Sequence, residues 1–521
     1  MNFFLLLRTI IHLRPIQIVY QIKNRLLRGK FKPYKCYEEI KGCKYLTFIT
    51  KYPCYADGAF SFLNIKSTFS SWSEMQYGIL WAYNLNYMDW LLQPEMSIEE
   101  GSRWIDRFIA ALSENKVGLD PYPTALRGVN WIKFISGYHD LISDVRLIRW
   151  TDSLYAQYKL LEKKLEYHLL GNHLLEDAYS LFIASIYFSD KEFYKKSVDL
   201  LYRELNEQIL PDGAHYELSP MYHCILLDRL LDCYNFSINN NRFLDQSKIT
   251  AFLQEKAIRM LGHLQSILFA DGTYPLFNDS ALGIAPTPQE LFRYADRVGL
   301  QWQPVEMKGC GYRRLSNHNL DVFVDIGNIM ASYQPGHTHA DTFNYELRVN
   351  GKPFIIDTGT STYEKNDRRQ YERSTVAHNT VSINGMDSSE VWSGFRIGRR
   401  AKVHLIEETP CCITAEHYGY RFCCHRRSFK INEAEFVVID SLSSSILAEN
   451  YIHLAPNVEV LSVSNTCIVT SCGTIAMEGV GSVRLAQRKI SMEYNRFADS
   501  HTVVMTFHNQ MEYSIKPTNY K

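Results

Sequence analysis

The 521-residue chain has no net charge, since 56 Lys and Arg balance 56 Asp and Glu. No whole-chain field draws it to nucleic acid or to a membrane, so an acidic ligand must be met by a local patch. Its twelve cysteines include no CxxC pair and no regular spacing, and two pairs, Cys411-Cys412 and Cys423-Cys424, are adjacent. That excludes zinc fingers and a disulfide framework and leaves free thiols, which lean toward a reducing compartment. No apolar run is long enough to span a bilayer. Nor is an export signal expected from these residues, since Arg8 breaks the run Phe3 to Leu7, the basic residues follow it, and no small-residue cleavage site stands after it. Residues 1–30 read as a retained amphipathic segment that either packs on the body or lies on a membrane surface. No strict internal repeat sets a period.

The length is too great for one ordinary core and predicts two domains. Between about Phe62 and Leu300 apolar residues recur at three and four, predicting helices over 105–112, 174–187, 194–210, 220–234 and 249–268. Their separators are short turns such as Gly171-Asn172 and Pro211-Asp212-Gly213. Residues 1–305 are therefore expected to form a helical array of the toroid or solenoid kind. From about Gly309 the period becomes two, with strands expected at 322–326, 343–349, 354–356, 380–383, 402–406, 428–431 and 435–439, and more beyond 458. Asn350-Gly351 lies between two apolar runs as a hairpin turn would, and Asn384-Gly385 follows a strand. Residues 306–521 thus predict an antiparallel β-sandwich, and the chain is α+β multidomain. Ligand sites favour the seam between such units.

Chemistry-bearing residues gather around that seam. In Gly336-His337-Thr338-His339-Ala340-Asp341 an extended backbone would turn His337, His339 and Asp341 to one face. Two histidines and a carboxylate form a familiar zinc set, and Asp357 and His378 lie on later segments that can fold back beside them. In the helical half, His173 and Glu176 share a helix face behind Asn172. The stretch Asp212 to His223 is dense in polar and aromatic groups, and Tyr222 within it is a candidate proton donor or acceptor. Arg127 either grips a carboxylate or sulfate or anchors a helix end, with Asn130 and Trp131 beside it. With 34 Tyr, 27 Phe and 8 Trp the chain is also rich in faces on which sugar rings stack.

These pieces together resemble the heparinase II/III-like polysaccharide lyases, a group that includes alginate and heparan-sulfate lyases. The resemblance rests on Asn172-His173 with Glu176, on Asp212-Gly213 to Tyr222-His223, on Gly336 to Asp341, on Ile356-Asp357-Thr358-Gly359-Thr360, and on Arg373 to Val381. It implies an α/α toroid followed by a β-sandwich. It further implies that His339, Asp357 and His378 bind a mainly structural zinc ion, that Asn172 and His173 neutralise a substrate carboxylate, and that Tyr222 exchanges protons beside His337. Tyr363 is a second candidate tyrosine, and Arg127, Asn130, Trp131, Glu176 and His223 are candidate substrate contacts.

The expected reaction is β-elimination in a 4-linked uronic acid polymer. Hydrogen bonds to the carboxylate acidify the C5 proton, Tyr222 or His337 removes it, and a tyrosine protonates the departing 4-oxygen. Alginate, heparan-like, hyaluronan-like and surface polysaccharides all fit as acidic substrates. The competing readings are a catalytically silent glycan-binding or assembly protein on the same fold, and a metal-dependent hydrolase.

Overall fold

A computed structural model describes residues 3–26, 31–36 and 42–518. Two helices, α1 (Phe3–Ile10) and α2 (Pro15–Leu26), open the chain. The helical run continues through α3 (Ile79–Tyr87), α4 (Ile98–Ala111), α5 (Pro121–Gly137), α6 (Asp144–Lys163), α7 (Gly171–Phe188), α8 (Lys191–Gln208), α9 (Pro220–Asn239), α10 (Gln246–Ser266) and α11 (Pro288–Arg297). Chain neighbours pack as partners, α7 on α8 and α9 on α10. Helix α7 lies at the centre, and every one of its residues except His173 is buried. An all-round apolar helix can only be a core helix, so the single residue that escapes burial marks where the core opens. A three-stranded sheet (Tyr55–Ala56, Ala59–Phe62, Ile65–Thr68) interrupts the helical half and puts Phe60 and Phe62 among Trp81, Trp90 and Trp104. The period-three reading missed it because its strands are short.

Beyond α11 the regular structure is antiparallel strand apart from short helical pieces such as Asp367–Arg373, which carries Arg369. One four-stranded sheet comprises Tyr312–Ser316, Leu320–Asp325, Tyr345–Val349 and Lys352–Ile355. An eight-stranded sheet runs from edge strand Val403–Thr409 to edge strand Val460–Val463, and a second four-stranded sheet contains Val381–Ile383, Ala448–His453, Ser482–Glu493 and Arg496–Phe507. Val322, Phe429 and Val503, one from each, belong to a single apolar core. Asn350 and Gly351 have φ of 50° and 74° and join strands in which Val349 pairs with Lys352. That is the primed two-residue turn their sequence predicts.

The histidine stretch is a correction. Residues 337–344 form turns between two strands, and the following strand starts at Tyr345, because Phe343 adopts φ 69° and breaks the extended run. Arg427 holds this break by donating to the carbonyls of Phe343 (3.0 Å) and Asn379 (2.8 Å). Its own charge is met by Asp440 (2.7 and 2.8 Å), which also accepts from His425 and Asn450. Burial pushes the Asp440 carboxyl up, but Arg427 and His425 outweigh it and hold the group well below the usual carboxylate range.

The N-terminal helices dock across both halves of the molecule. Arg8 pairs with Glu390 (2.7 Å), Arg14 grips Glu207 through two hydrogen bonds (2.9 and 2.5 Å), and Trp392 donates to Thr9 (3.0 Å). Among the described residues no single helix is long and apolar enough to cross a membrane.

Asp440→Ala leaves Arg427 buried without its counter-charge, so denaturant unfolding should show a loss of about 3–5 kcal/mol. A loss under about 1 kcal/mol would mean that the pair does not hold the sheet and its loops.

Candidate active site

A cavity of about 660 Å³ opens where the two halves meet, lined from the helical side by Asn172, His173, Glu217 and Tyr222 and from the strand side by His337, Tyr363 and Phe395. Asn172 and His173 reach it from the N-terminal turn of α7, which the chain enters through Leu170 (φ 61°) and Gly171 (φ 59°). A Cβ on Gly171 would lie 2.7 Å from the Glu217 carboxylate, so glycine is needed both for the backbone angle and for the approach. Glu217 accepts from the Asn172 backbone N–H (3.1 Å) and twice from its side-chain amide (3.1 and 2.9 Å). The Asn172 Oδ1 is buried without a partner.

His173 is about one-third exposed at the cavity wall, its ring lies against Tyr122, and its Nδ1 is 3.0 Å from Glu166. Burial pulls its pKa down, but Glu166, with Glu217 and Glu176 behind it, raises it above the ordinary histidine value. The imidazolium form is thereby favoured at the one place in α7 where an anion can reach it.

Opposite stands a chain of buried groups centred on Asp279, from the segment between α10 and α11. It meets His337 Nδ1 (2.9 Å), His339 Nε2 (2.8 Å) and both terminal nitrogens of Arg369, one of them at 2.7 Å. Burial pushes the Asp279 carboxyl up, but Arg369 and the two histidines outweigh it, so it stays ionised. An ionised partner at Nδ1 keeps the proton on that nitrogen and leaves His337 Nε2 as an acceptor, 3.7 Å from Glu217. The Tyr222 ring lies 3.9 Å from the His337 ring, and its hydroxyl accepts from Tyr363 (3.2 Å). Burial raises the Tyr222 pKa and leaves it a neutral phenol, with Tyr363 opposing and Asp279 and Glu217 adding to the shift.

The zinc expectation can be tested on donor chemistry. His339 Nδ1 and His378 Nε2 are buried without hydrogen-bond partners, and their rings lie 5.2 Å apart. Asp357 meets His378 Nδ1 (2.7 Å) and Asn344 (2.6 Å). Orphaned imidazole nitrogens are the donor type zinc takes, but Asp357 meets the His378 nitrogen opposite the orphaned one, so the three expected donors do not converge here. Among the described residues, however, the one group whose donors gather within 4.8 Å is Asp212, His263 and Cys310. There Asp212 accepts the backbone N–H groups of Cys310 (2.7 Å) and Ala214 (3.3 Å), which locks the linker to the loop before α9.

Other expected contacts lie elsewhere. Arg127 is fully buried, bonded to Gln157 and the Asn86 carbonyl and stacked on Phe108, so it anchors helices and does not reach the cavity. Trp131 packs in the core with its N–H on Met88. Glu176 faces Arg229 behind the wall (3.9 Å) and is pushed up to about 8, chiefly by burial. His223 turns away onto the Met260 carbonyl (3.0 Å). Asn130 alone of the Arg127 group lines the cavity. Unforeseen were Asp279, Arg369, Glu217 and Glu166. Only Glu217 stood within a flagged stretch, and nothing periodic surrounds Asn278-Asp279-Ser280.

Two family models cover most of the chain: heparinase II/III N-terminus matches residues 131–295, and heparinase II/III-like, C-terminal, matches residues 300–518. The chain belongs to the heparinase II/III-like family. This heparinase II/III-like chain is 27% identical to a heparin-sulfate lyase of Bacteroides stercoris over 312 residues, 54% of the chain and 45% of that protein. It is 23% identical to the heparin-sulfate lyase of Pedobacter heparinus over 406 residues, 70% and 56% of the two chains. The matches thus span about half the length of these curated relatives. A crystal structure of heparinase III superposes with a TM-score of 0.67 at 17% identity, over 90% of this chain and 81% of the other. A heparan sulfate lyase mutant from Pedobacter heparinus gives 0.61 at 18%, over 96% and 88%. These likenesses show the fold, an α+β multidomain architecture.

Since the His173 pKa is raised on folding, its stabilising contribution is complete below about pH 6.5 and is lost as pH rises through the folded value. In Glu166→Gln the main upward influence is gone, and the NMR titration midpoint of His173 should move to lower pH. An unmoved midpoint would show that Glu166 does not hold the proton there.

Proposed function

We propose that this protein is a polysaccharide lyase that cleaves a uronic-acid polymer by β-elimination, leaving an unsaturated uronate end. The observation that carries this reading is that Asn172, His173, Tyr222, His337 and Tyr363 all line the one seam cavity. Binding alone has no use for a phenol stacked on an oriented imidazole. The helical half then corresponds to an α/α toroid over residues 1–305 and the sheets to a β-sandwich over 306–521, in keeping with the paired helices and the shared strand core.

The residues divide the work by their resting states. The substrate carboxylate sits against His173 and the N-terminal turn of α7, whose positive end adds to the cation. Asn172 can join only when its amide is released from Glu217, which displacement by the substrate carboxylate would accomplish. His337 Nε2, kept free by Asp279, takes the C5 proton. Tyr222, a neutral phenol supported by Tyr363, donates to the departing 4-oxygen. We assign zinc to His339, Asp357 and His378 as a structural ion that would fix the loop carrying His337.

Tyr222→Phe removes one oxygen from a packed ring, so turnover should fall about 10²-fold or more while KM and melting temperature stay close to wild type. Near-wild-type formation of ultraviolet-absorbing unsaturated product would pass the proton-donor role to Tyr363. For the metal, elemental analysis of protein prepared without chelators should find zinc, and His378→Ala should lose it together with several degrees of melting temperature. Full metal retention in that variant would refute the ligand set.

A further inference from the structure

The lyase reading leaves open what surrounds the reacting ring, and the walls of the cavity bear on it. Beyond His173 three cations among the described residues line the space, Lys51, Lys133 and Arg229. Each is already matched: Lys51 by Asp89 (2.8 Å), Lys133 by Asp232 (2.5 Å), and Arg229 by Asp232 (2.7 Å) and Asp228 (3.3 Å), with Glu176 at 3.9 Å. Two cations there face Asp228 and Asp232, while Glu176, pushed up to about 8 chiefly by burial, adds little further charge. Glu290 and Glu493 add further negative charge to the lining, and neither is met by a lining cation: Glu290 caps α11 through Thr287 (2.8 Å), while Glu493 meets Asn64 (3.1 Å) and the exposed Arg496 (3.2 Å). The remaining surface is largely apolar, with aliphatic side chains such as Leu80, Ile225 and Leu282 and with tyrosines that include Tyr83, Tyr87 and Tyr494. Resting on the lyase assignment, we infer that the polymer is unsulfated, with one carboxylate held at His173 and its neighbouring sugars stacked on tyrosines.

A sulfate stays ionised at every working pH, so it would lose water beside walls whose cations are outnumbered. A hydroxyl or N-acetyl group meets no such penalty. The test compares heparin and unsulfated heparosan oligosaccharides of equal length by equilibrium binding and by release of unsaturated product. The unsulfated chain should bind about tenfold tighter or better, and Glu290→Gln, which preserves the α11 capping box, should narrow the gap. Heparin binding as tight as heparosan, or tighter, overturns the inference. Preference for heparosan without any unsaturated product leaves the inference standing and sinks the lyase reading, and failure to bind either oligosaccharide overturns both.

A second observation stands apart from the cavity. Phe3, Phe4, Ile11, Val19, Ile22 and Leu26 on and between α1 and α2 are 53–79% exposed, although Arg8, Arg14 and Thr9 fix the opposite side of the segment to the body. No acidic residue precedes Glu38, whereas Arg8, Arg14, Lys23, Arg25, Arg28, Lys30, Lys32 and Lys35 do. We propose that this face lies on an anionic lipid surface, its apolar side chains among the acyl chains and its spare bases on the headgroups. Co-sedimentation should show partitioning onto vesicles containing phosphatidylglycerol about tenfold stronger than onto phosphatidylcholine alone, falling as salt rises. Phe4→Asp with Ile11→Asp should abolish it with melting temperature unchanged, since both side chains are exposed. Equal partitioning onto neutral vesicles, unaltered partitioning of the double variant, or a concentration-dependent dimer that the same substitutions dissolve would overturn the proposal.

Discussion

The buried carboxylate of Asp279 is the interaction on which the site depends. It comes from the helical half, while Arg369, His337 and His339 come from the strand half, and all four are buried. A carboxylate out of water is tolerable only with matched charge and filled hydrogen bonds, and a buried pair broken on one side costs about 3–5 kcal/mol. The two halves therefore cannot slide at this seam without exposing an unpaired charge. The same bond selects the histidine tautomer, so the element that joins the halves also sets which nitrogen faces the cavity. His337 and Tyr222, from different halves, are held ring to ring as a result.

The helical side is organised around a different constraint. Helix α7 is buried along its whole length, and its first turn is the one place where polar groups meet open space. Glu217 occupies the Asn172 amide, and Glu166 maintains the charge on His173. In the proposed reaction this wall would exchange a protein carboxylate for a substrate carboxylate, with little change in net charge. The walls farther out are already neutralised or negative, so on the proposed reading attraction is concentrated at one point and the rest of the grip falls to apolar and aromatic surface.

Much of the architecture was legible in the residues themselves. Helices α7 to α10 follow from apolar spacing, and their separators carry the turn residues expected of them. The Asn350-Gly351 hairpin follows from a dipeptide able to hold positive φ twice. The histidine stretch was misread as extended because alternation of side chains is all that a strand shows in sequence. The turn at Phe343 is imposed from outside, by an arginine 84 positions away. Arg127 shows where sequence leaves a choice open: beside Asn130 it reads equally as a ligand grip or a helix anchor, and helical geometry directs the arginine into the core and the asparagine to the cavity.

By itself the sequence determined the helix-then-strand order and the family, and it named most of the polar groups at the wall, because periodicity and motif are local properties of the chain. Only the tertiary structure decided which of those groups meet. Asp279 was invisible to any motif, since its meaning lies in Arg369, 90 positions away, and in two histidines from a loop of the strand half. Charge balance in the cavity was invisible for the same reason. Ion pairing is a matter of distance in space, and a chain whose formal charges sum to zero says nothing about where each cation finds its partner.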